Sequence, residues 1–245
     1  MEDKALLSTE EASGAEKAEL LIVIPAYNEA ENIERVVNHL TANFPQYAYV
    51  VVNDGSRDET AAICQRNGYN LLNLPVNLGL AGAFQAGLKY ADKYGYQYAV
   101  QLDGDGQHRP EYLESMIKKM EEGYDIVIGS RFVGEKKPFT MRMLGSNLIE
   151  MAIRFTTGVN IKDPTSGMRM FSKRMIREFA SGLNYGPEPD TVSYLIRQGA
   201  RVAEVPVIMD ERILGVSYLT PVNAMRYMLK MLISILLIQN FRKRR

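Results

Sequence analysis

The sequence predicts an α/β protein with a mostly parallel sheet and helices on both faces, and three observations predict it. Apolar runs of strand length recur at 20–24, 49–53, 98–102 and 124–128, continuous rather than alternating, as in strands buried on both faces. Segments of helical period lie between them, the order of repeated strand–helix units. Asp54 and Asp103 follow directly on two of the runs. In such sheets ligands bind beyond the carboxyl ends of the strands, so acids distant in sequence can share one crevice.

Taken in order, residues 1–19 carry six acids against Lys4 and Lys17 without a sustained period, and are expected to form a disordered acidic tail. The first strand ends at Pro25. A helix follows with Ile33, Val36, Val37 and Leu40 on one face, and Asn28 and Glu31 are spaced as its capping box. After the second strand Ser56 and Glu59 are spaced as another. A strand at 71–74, a helix over 80–94, the strand at 98–102 and a helix over 110–122 continue the alternation. From Gly134 to Tyr218 the period is less regular, with one clear strand at 202–208 and a helix expected over 191–197. No repeat or low-complexity linker divides the chain, so 20–220 is expected to be one domain.

The 245 residues suffice for a sizeable core, and a formal net charge of zero hides an acidic start and a basic end. Residues 221–245 hold six basic residues and no acid, with Met225, Met228, Leu229, Leu232, Ile233 and Leu236 at helical spacing. Their longest uncharged run, 231–241, would span about 16 Å as a helix. A bilayer core needs about 30 Å, or roughly 20 apolar residues. The segment is therefore expected to lie as an amphipathic helix in an anionic membrane interface, with no nucleic acid as partner. Packing on the protein core or on a second copy, giving a homo-oligomer, is the alternative. Cys64, the sole cysteine, sits on a helix face as a small core residue, which excludes an intrachain disulfide and a thiolate zinc site. The N-terminus lacks a basic region leading into an apolar one, so no secretory signal is expected and the site is assigned to the cytosol.

The loop Gln101-Leu102-Asp103-Gly104-Asp105-Gly106-Gln107-His108 is the most informative segment. Its two carboxylates on a glycine-rich turn are hard oxygen donors suited to Mg²⁺ or Mn²⁺ held jointly with a diphosphate. A calcium loop is the nearest rival, since Asp103, Asp105, Gln107, Glu111 and Glu114 fall at ligand positions of an EF-hand. It fails because His108 stands where the turn glycine is needed, Pro110 interrupts the loop, and a strand precedes it in place of a helix. A dinucleotide fingerprint is also absent, as Gly79-Leu80-Ala81-Gly82 lacks the G-x-G-x-x-G spacing.

Further motifs occur in order around that loop: Ile24-Pro25-Ala26-Tyr27-Asn28-Glu29, Val52-Asn53-Asp54-Gly55-Ser56, Asn77-Leu78-Gly79, Gly129-Ser130-Arg131-Phe132 and Asp163-Pro164-Thr165-Ser166-Gly167-Met168-Arg169. Together they closely resemble the glycosyltransferase family 2 enzymes with a GT-A, Rossmann-like fold. Within that family the chain resembles polyprenyl-phosphate sugar synthases of the dolichyl-phosphate mannose or undecaprenyl-phosphate glucose type. The resemblance covers about 20–220 and implies a nucleotide-sugar half, 20–110, and an acceptor half, 111–220. It implies inverting, metal-dependent transfer from a nucleotide sugar, UDP-glucose or UDP-N-acetylglucosamine being favoured, to a polyprenyl phosphate for cell-envelope glycan synthesis. Mg²⁺ or Mn²⁺ is the implied cofactor, the cytoplasmic face of the membrane the implied place, and any flippase or downstream transferase a separate protein.

By the same resemblance Pro25, Tyr27 and Glu29 line the nucleotide pocket and Asp54 accepts a hydrogen bond from the base, although Asp54 also suits a turn or helix cap. Asp103 contacts ribose or metal, while Asp105 and Gln107 hold the metal. Arg131, Arg142 and Ser146 match positions that grip the acceptor phosphate, for which the arginine fork is well shaped. Arg142 reads equally as a solvated charge in the basic stretch 136–142. Arg212 matches an arginine near the donor diphosphate, but Tyr218 stands where the family carries a basic residue. A phosphate acceptor, with a second pKa of about 6, needs no strong base. A hydroxyl acceptor would, and Glu188 and Asp190 lie where relatives that transfer to sugars place a catalytic carboxylate. Acids at the start of a helix have an equally good structural reason to be there. Transfer to a hydroxyl of a lipid-linked or polymeric glycan is thus the main alternative, and an inactive nucleotide-sugar-binding membrane module the lesser one.

Overall fold

Continuous apolar strands bury both faces only between two helical layers, and the structure, a computed structural model, has that form. It describes residues 19–135, 137–138, 140–181, 186–210 and 221–241; the acidic tail, apart from Glu19, lies outside them. In chain order the elements are β1 (Leu20–Ala26), α1 (Ile33–Asn43), β2 (Ala48–Asn53), α2 (Thr60–Arg66), β3 (Leu71–Asn73), α3 (Gly79–Tyr94) and β4 (Tyr98–Gln101). There follow α4 (Leu113–Glu121), β5 (Ile126–Ser130), α5 (Met141–Thr157), β6 (Arg169–Ser172), α6 (Lys173–Ser181), α7 (Pro189–Arg197), β7 (Val202–Pro206) and α8 (Pro221–Leu236).

The strands form one sheet in the order β3-β2-β1-β4-β6-β5-β7. Only β6 runs against its neighbours, pairing antiparallel with both β4 and β5. On one face Leu21 and Val23 of β1 pack with Phe84 and Leu88 of α3 and Phe179 of α6. On the other, Leu20, Ile22 and Ile24 pack with Ile33, Val37 and Leu40 of α1 and with Leu113 and Met116 of α4. Cys64 is fully buried, as its helical setting predicts. Helix α8 packs against α5 and α7 through Met231 and Ile235. Among the described residues no helix is long and apolar enough to cross a membrane.

Both expected capping boxes are corrected. Helix α1 begins only at Ile33, and Asn28 stands before it in the left-handed region (φ 56°). Ser56 Oγ accepts from Asn28 N (3.0 Å) and Asn28 Oδ1 accepts from Arg57 N (2.9 Å). The polar residues spaced as caps therefore lace the loop after β1 to the loop after β2. Asp58 joins the same lacing, accepting from Thr60 N (3.0 Å) and Ala30 N (3.0 Å). These cross-loop bonds at the crevice floor satisfy backbone donors left over at the strand ends.

Candidate functional site

The carboxyl ends of β1, β2 and β4 bring the sequence motifs together. Asp103, just past β4, is fixed from both sides: Oδ1 accepts from Gln101 Nε2 (3.0 Å), and its backbone N–H donates to His108 Nδ1 (3.0 Å). An imidazole nitrogen that accepts a backbone N–H carries no proton, which puts the His108 ring hydrogen on Nε2, 3.6 Å from Asp103 Oδ2. Asp105 Oδ1 accepts from Gln107 N (3.0 Å), while Arg35 of α1 donates to the Asp105 carbonyl (2.9 Å). The intervening glycine lets this turn lie on β1, since a Cβ at Gly104 would stand 3.2 Å from the Pro25 carbonyl oxygen.

The predicted nucleotide-side residues border the same turn. Pro25 is partly buried, and Tyr27 is 44% exposed, an open aromatic face at the crevice mouth. Glu29 accepts from Asn32 Nδ2 (2.8 Å). Asp54 is only 2% exposed, and its Oδ1 accepts from Leu78 N (2.7 Å). In this structure it fastens the Asn77-Leu78-Gly79 turn, with Asn77 Nδ2 returning a bond to its carbonyl (3.0 Å).

Beyond Asp103 a cavity of about 280 Å³ is lined by Gln107, His108, Arg131, Arg169, Glu188 and Tyr227, among others. Arg131 is held by Asp163 in a bidentate fork, Nε to Oδ2 at 2.7 Å and Nη2 to Oδ1 at 2.8 Å, which leaves Nη1 for a ligand. Asp163 itself is fully buried and donates its N–H to Glu204 Oε1 (2.8 Å). Arg169 at the start of β6 holds the Pro164 carbonyl through Nη2 (2.6 Å). Its Nε is buried without a partner among the described residues. Burial pushes the Arg169 guanidinium below the usual arginine range, opposed first by the charge of Glu188.

Several predicted residues do not line this cavity. Ser146 is fully buried in α5 with its hydroxyl unpartnered among the described residues, away from the cavity wall. Asp190 stands off the cavity with both oxygens engaged: Oδ1 accepts from Thr191 N (2.8 Å), and Oδ2 accepts from Ser234 Oγ (2.5 Å) and Gln239 Nε2 (3.3 Å). Glu188 does line the cavity, accepting the Tyr227 hydroxyl at Oε2. The Arg142 side chain and the whole of Arg212 lie outside the described residues. Sequence reasoning missed Asp163, Arg169 and Tyr227 as site-building residues. The first two lie inside a motif already singled out, whereas Tyr227 carries no local signal.

Among the described residues no three His, Cys, Asp or Glu side chains converge as a self-contained metal cage. The donor set nonetheless fits a shared cation. The Asp103 side chain is 34% exposed, Asp105 lies two residues on, and Gln107 donates through Nε2 to the Asp210 carbonyl (3.3 Å), which leaves its amide oxygen to ligate. Hard oxygen donors too few to enclose an ion suit Mg²⁺ or Mn²⁺ completed by ligand phosphates.

The sequence model of the family described as Glycosyl transferase family 2 matches residues 21–179. The chain belongs to glycosyltransferase family 2. The enzyme is 32% identical over 223 residues to the polyprenol monophosphomannose synthase of Mycolicibacterium smegmatis, covering 86% of this chain and 84% of that protein. It is 31% identical over 210 residues to the undecaprenyl-phosphate mannosyltransferase of Micrococcus luteus, covering 81% and 86%. Among solved structures, glucosyl-3-phosphoglycerate synthase from Mycobacterium tuberculosis, in complex with Mn²⁺, uridine diphosphate and phosphoglyceric acid, matches with a TM-score of 0.65. That match has 19% identity and covers 93% of this chain and 80% of that one, a likeness of fold. This glycosyltransferase thus has the GT-A architecture, and its sequence resembles the polyprenyl-phosphate sugar synthases.

Proposed function

We propose that this glycosyltransferase transfers a sugar from a nucleotide sugar to a polyprenyl phosphate with inversion, the acceptor oxygen displacing the nucleoside diphosphate. The supporting observation is the cavity next to Asp103, whose wall carries Arg131, braced by Asp163, and Arg169, with Glu188 held by the Tyr227 hydroxyl. Arg131 would meet phosphate oxygens through Nη1 while Asp163 keeps the guanidinium plane fixed, and Arg169 would offset the charge of the dianion. The acceptor oxygen attacks the anomeric carbon, the bond from that carbon to the diphosphate breaks, and the electron pair leaves with the nucleotide. A phosphate monoester is already largely ionised near neutral pH, so no residue has to remove a proton. Asp103, Asp105 and Gln107 would hold a divalent cation, which neutralises charge on the diphosphate. Pro25, Tyr27, Glu29 and Asp54 would form the nucleotide side, with a UDP-sugar as the favoured donor.

The membrane is proposed to meet the outer faces of α8 and α5. Met225, Leu229 and Ile233 of α8 are exposed, as are Leu148, Met151 and Phe155 of α5, with Phe155 at 86%. An apolar surface drawn from two packed helices fits interfacial binding, proposed to be on the cytoplasmic side.

Transfer from labelled UDP-glucose, UDP-N-acetylglucosamine and GDP-mannose to undecaprenyl phosphate, in detergent with and without Mn²⁺, tests this reading. The expected product is metal-dependent and acid-labile in the lipid phase, and the productive donor identifies the sugar. Transfer only to a sugar-bearing acceptor would overturn the phosphate reading and make Glu188 the base candidate.

A further inference from the structure

The inner face of α8 reaches the cavity wall through hydrogen bonds to carboxylates. Tyr227 donates its hydroxyl to Glu188 Oε2, and Ser234, two turns further on, donates to Asp190 Oδ2 (2.5 Å). Gln239 reinforces the second contact, donating to both Asp190 Oδ2 (3.3 Å) and Ser234 Oγ (3.3 Å). The two anchors share one chemistry, hydroxyl to carboxylate, and differ in place. Glu188 and Tyr227 line the cavity beside Arg169 and Arg131, whereas Asp190 and Ser234 do not.

A carboxylate in the wall of an anion-accepting cavity has to be held in one position. If free to rotate, Glu188 would pair with the Arg131 or Arg169 guanidinium that an acceptor anion needs, or would meet that anion as a like charge. Tyr227 limits both by fixing Oε2 and with it the orientation of the carboxylate. Burial first, and then the charge of Glu188, hold the Tyr227 phenol far above its ordinary range, so it remains a proton donor at any working pH. The partner to Glu188 thus comes from the C-terminal helix, an element remote in sequence from the metal-loop motif.

We propose that Tyr227 is a positioning residue for the transfer reaction, its hydroxyl holding Glu188 against the cavity wall so that α8 completes the acceptor end of the site. This rests on the sugar-transfer reading above but holds whether the acceptor is a phosphate or a hydroxyl.

The test compares Tyr227→Phe with Ser234→Ala in the full chain, each removing one hydroxyl-to-carboxylate bond from α8. Thermal melts establish that both fold. With undecaprenyl phosphate as acceptor, Tyr227→Phe should raise the acceptor KM by about ten- to a hundredfold, the span of a hydrogen bond to a charged group. Its donor KM and kcat should stay near wild type, and Ser234→Ala should leave all three constants near wild type. With a hydroxyl acceptor the Tyr227→Phe loss should fall on kcat and move the acid limb of the pH–rate profile. Combining Tyr227→Phe with Glu188→Gln should add little to the larger single effect, because both act through one contact. Equal kinetics for Tyr227→Phe and Ser234→Ala, or additive losses in the double variant, would reduce Tyr227 to a structural anchor and overturn the proposal. A wild-type chain that transfers to neither acceptor would remove the reading beneath the proposal and the proposal with it, whereas failure of the variant comparison on an active wild type sinks the proposal alone.

Discussion

Replacing Asp163 by alanine should destabilise the fold by about 3 kcal/mol, and the contacts of Asp163 set the size. Its side chain is fully enclosed and accepts Arg131 Nε at 2.7 Å, Arg131 Nη2 at 2.8 Å and the Arg131 backbone N–H at 3.1 Å. Breaking a fully buried ion pair by removing one partner costs about 3–5 kcal/mol, because the remaining charge is left uncompensated. The Arg131 side chain keeps 25% exposure, so water recovers part of the loss and the lower end of that range applies. At about 2–4 °C per kcal/mol for a chain of this size, the melting temperature should fall by about 6–12 °C.

The reverse substitution differs in which charge is left behind. Arg131→Ala orphans the fully enclosed Asp163 carboxylate, whereas Asp163→Ala orphans a guanidinium with access to water. Arg131→Ala should therefore be the more destabilising of the two, and the double variant less destabilised than the sum of both. Urea denaturation of the three variants against wild type, read by far-ultraviolet circular dichroism, gives all the numbers needed. A loss below about 1 kcal/mol for Asp163→Ala, the range of an exposed pair, would refute a buried ion pair at this position, as would strict additivity.

Asp105→Ala should fold and lose about 10²–10³ in turnover, the cost of one well-placed electrostatic contact, and near-normal turnover would sink the metal-site assignment. Gly167→Ala should raise the donor KM with little loss of stability, because the added Cβ would stand 3.1 Å from His108 Cε1 and 3.4 Å from Asp103 Oδ2; unchanged steady-state kinetics would show that the metal turn yields freely. Burial raises the Asp125 carboxyl, but bonds from Arg174 and from the Arg201 backbone outweigh it and leave it below the usual range. That contribution is present above the unfolded carboxyl range and lost as pH falls through the folded value, so Asp125→Asn should flatten the stability decline below about pH 4, measured by denaturation at graded pH. Burial pushes the Cys64 thiol up to about 11, so labelling by a thiol reagent at pH 8 should proceed only as fast as the chain opens.

What the sequence made legible follows from distance along the chain. The strands β1, β2, β4 and β5 were readable because short, continuous apolar runs between helical segments mark strands covered on both faces. Strand β6 was not, since it opens with Arg169, a charged residue buried beneath the cavity, and runs antiparallel between β4 and β5. Helix α5 was hidden for a different reason: it places Met151 and Phe155 outward while burying Ile149 and Ile153, so no single apolar stripe marks it. In the site, Asp103, Asp105 and Gln107 are neighbours in one loop and could be read as a group. Arg169, Glu188 and Tyr227 come from β6, the start of α7 and α8, and only the fold brings them to one wall.

That wall bears on the choice between acceptors. A hydroxyl acceptor requires a carboxylate free to take a proton within hydrogen-bonding reach of the substrate. Asp190 has both oxygens bonded and stands off the cavity. Glu188 stands on it but has Oε2 occupied by the Tyr227 hydroxyl and the Arg169 guanidinium as its neighbour. A phosphate acceptor requires the opposite: cations held rigidly where a dianion arrives, with any nearby carboxylate already matched. Arg131 braced by Asp163, and Glu188 held by the Tyr227 hydroxyl, meet that requirement. On the proposed phosphate reading, Glu188 would serve as part of the electrostatic frame around Arg131 and Arg169 rather than as a base.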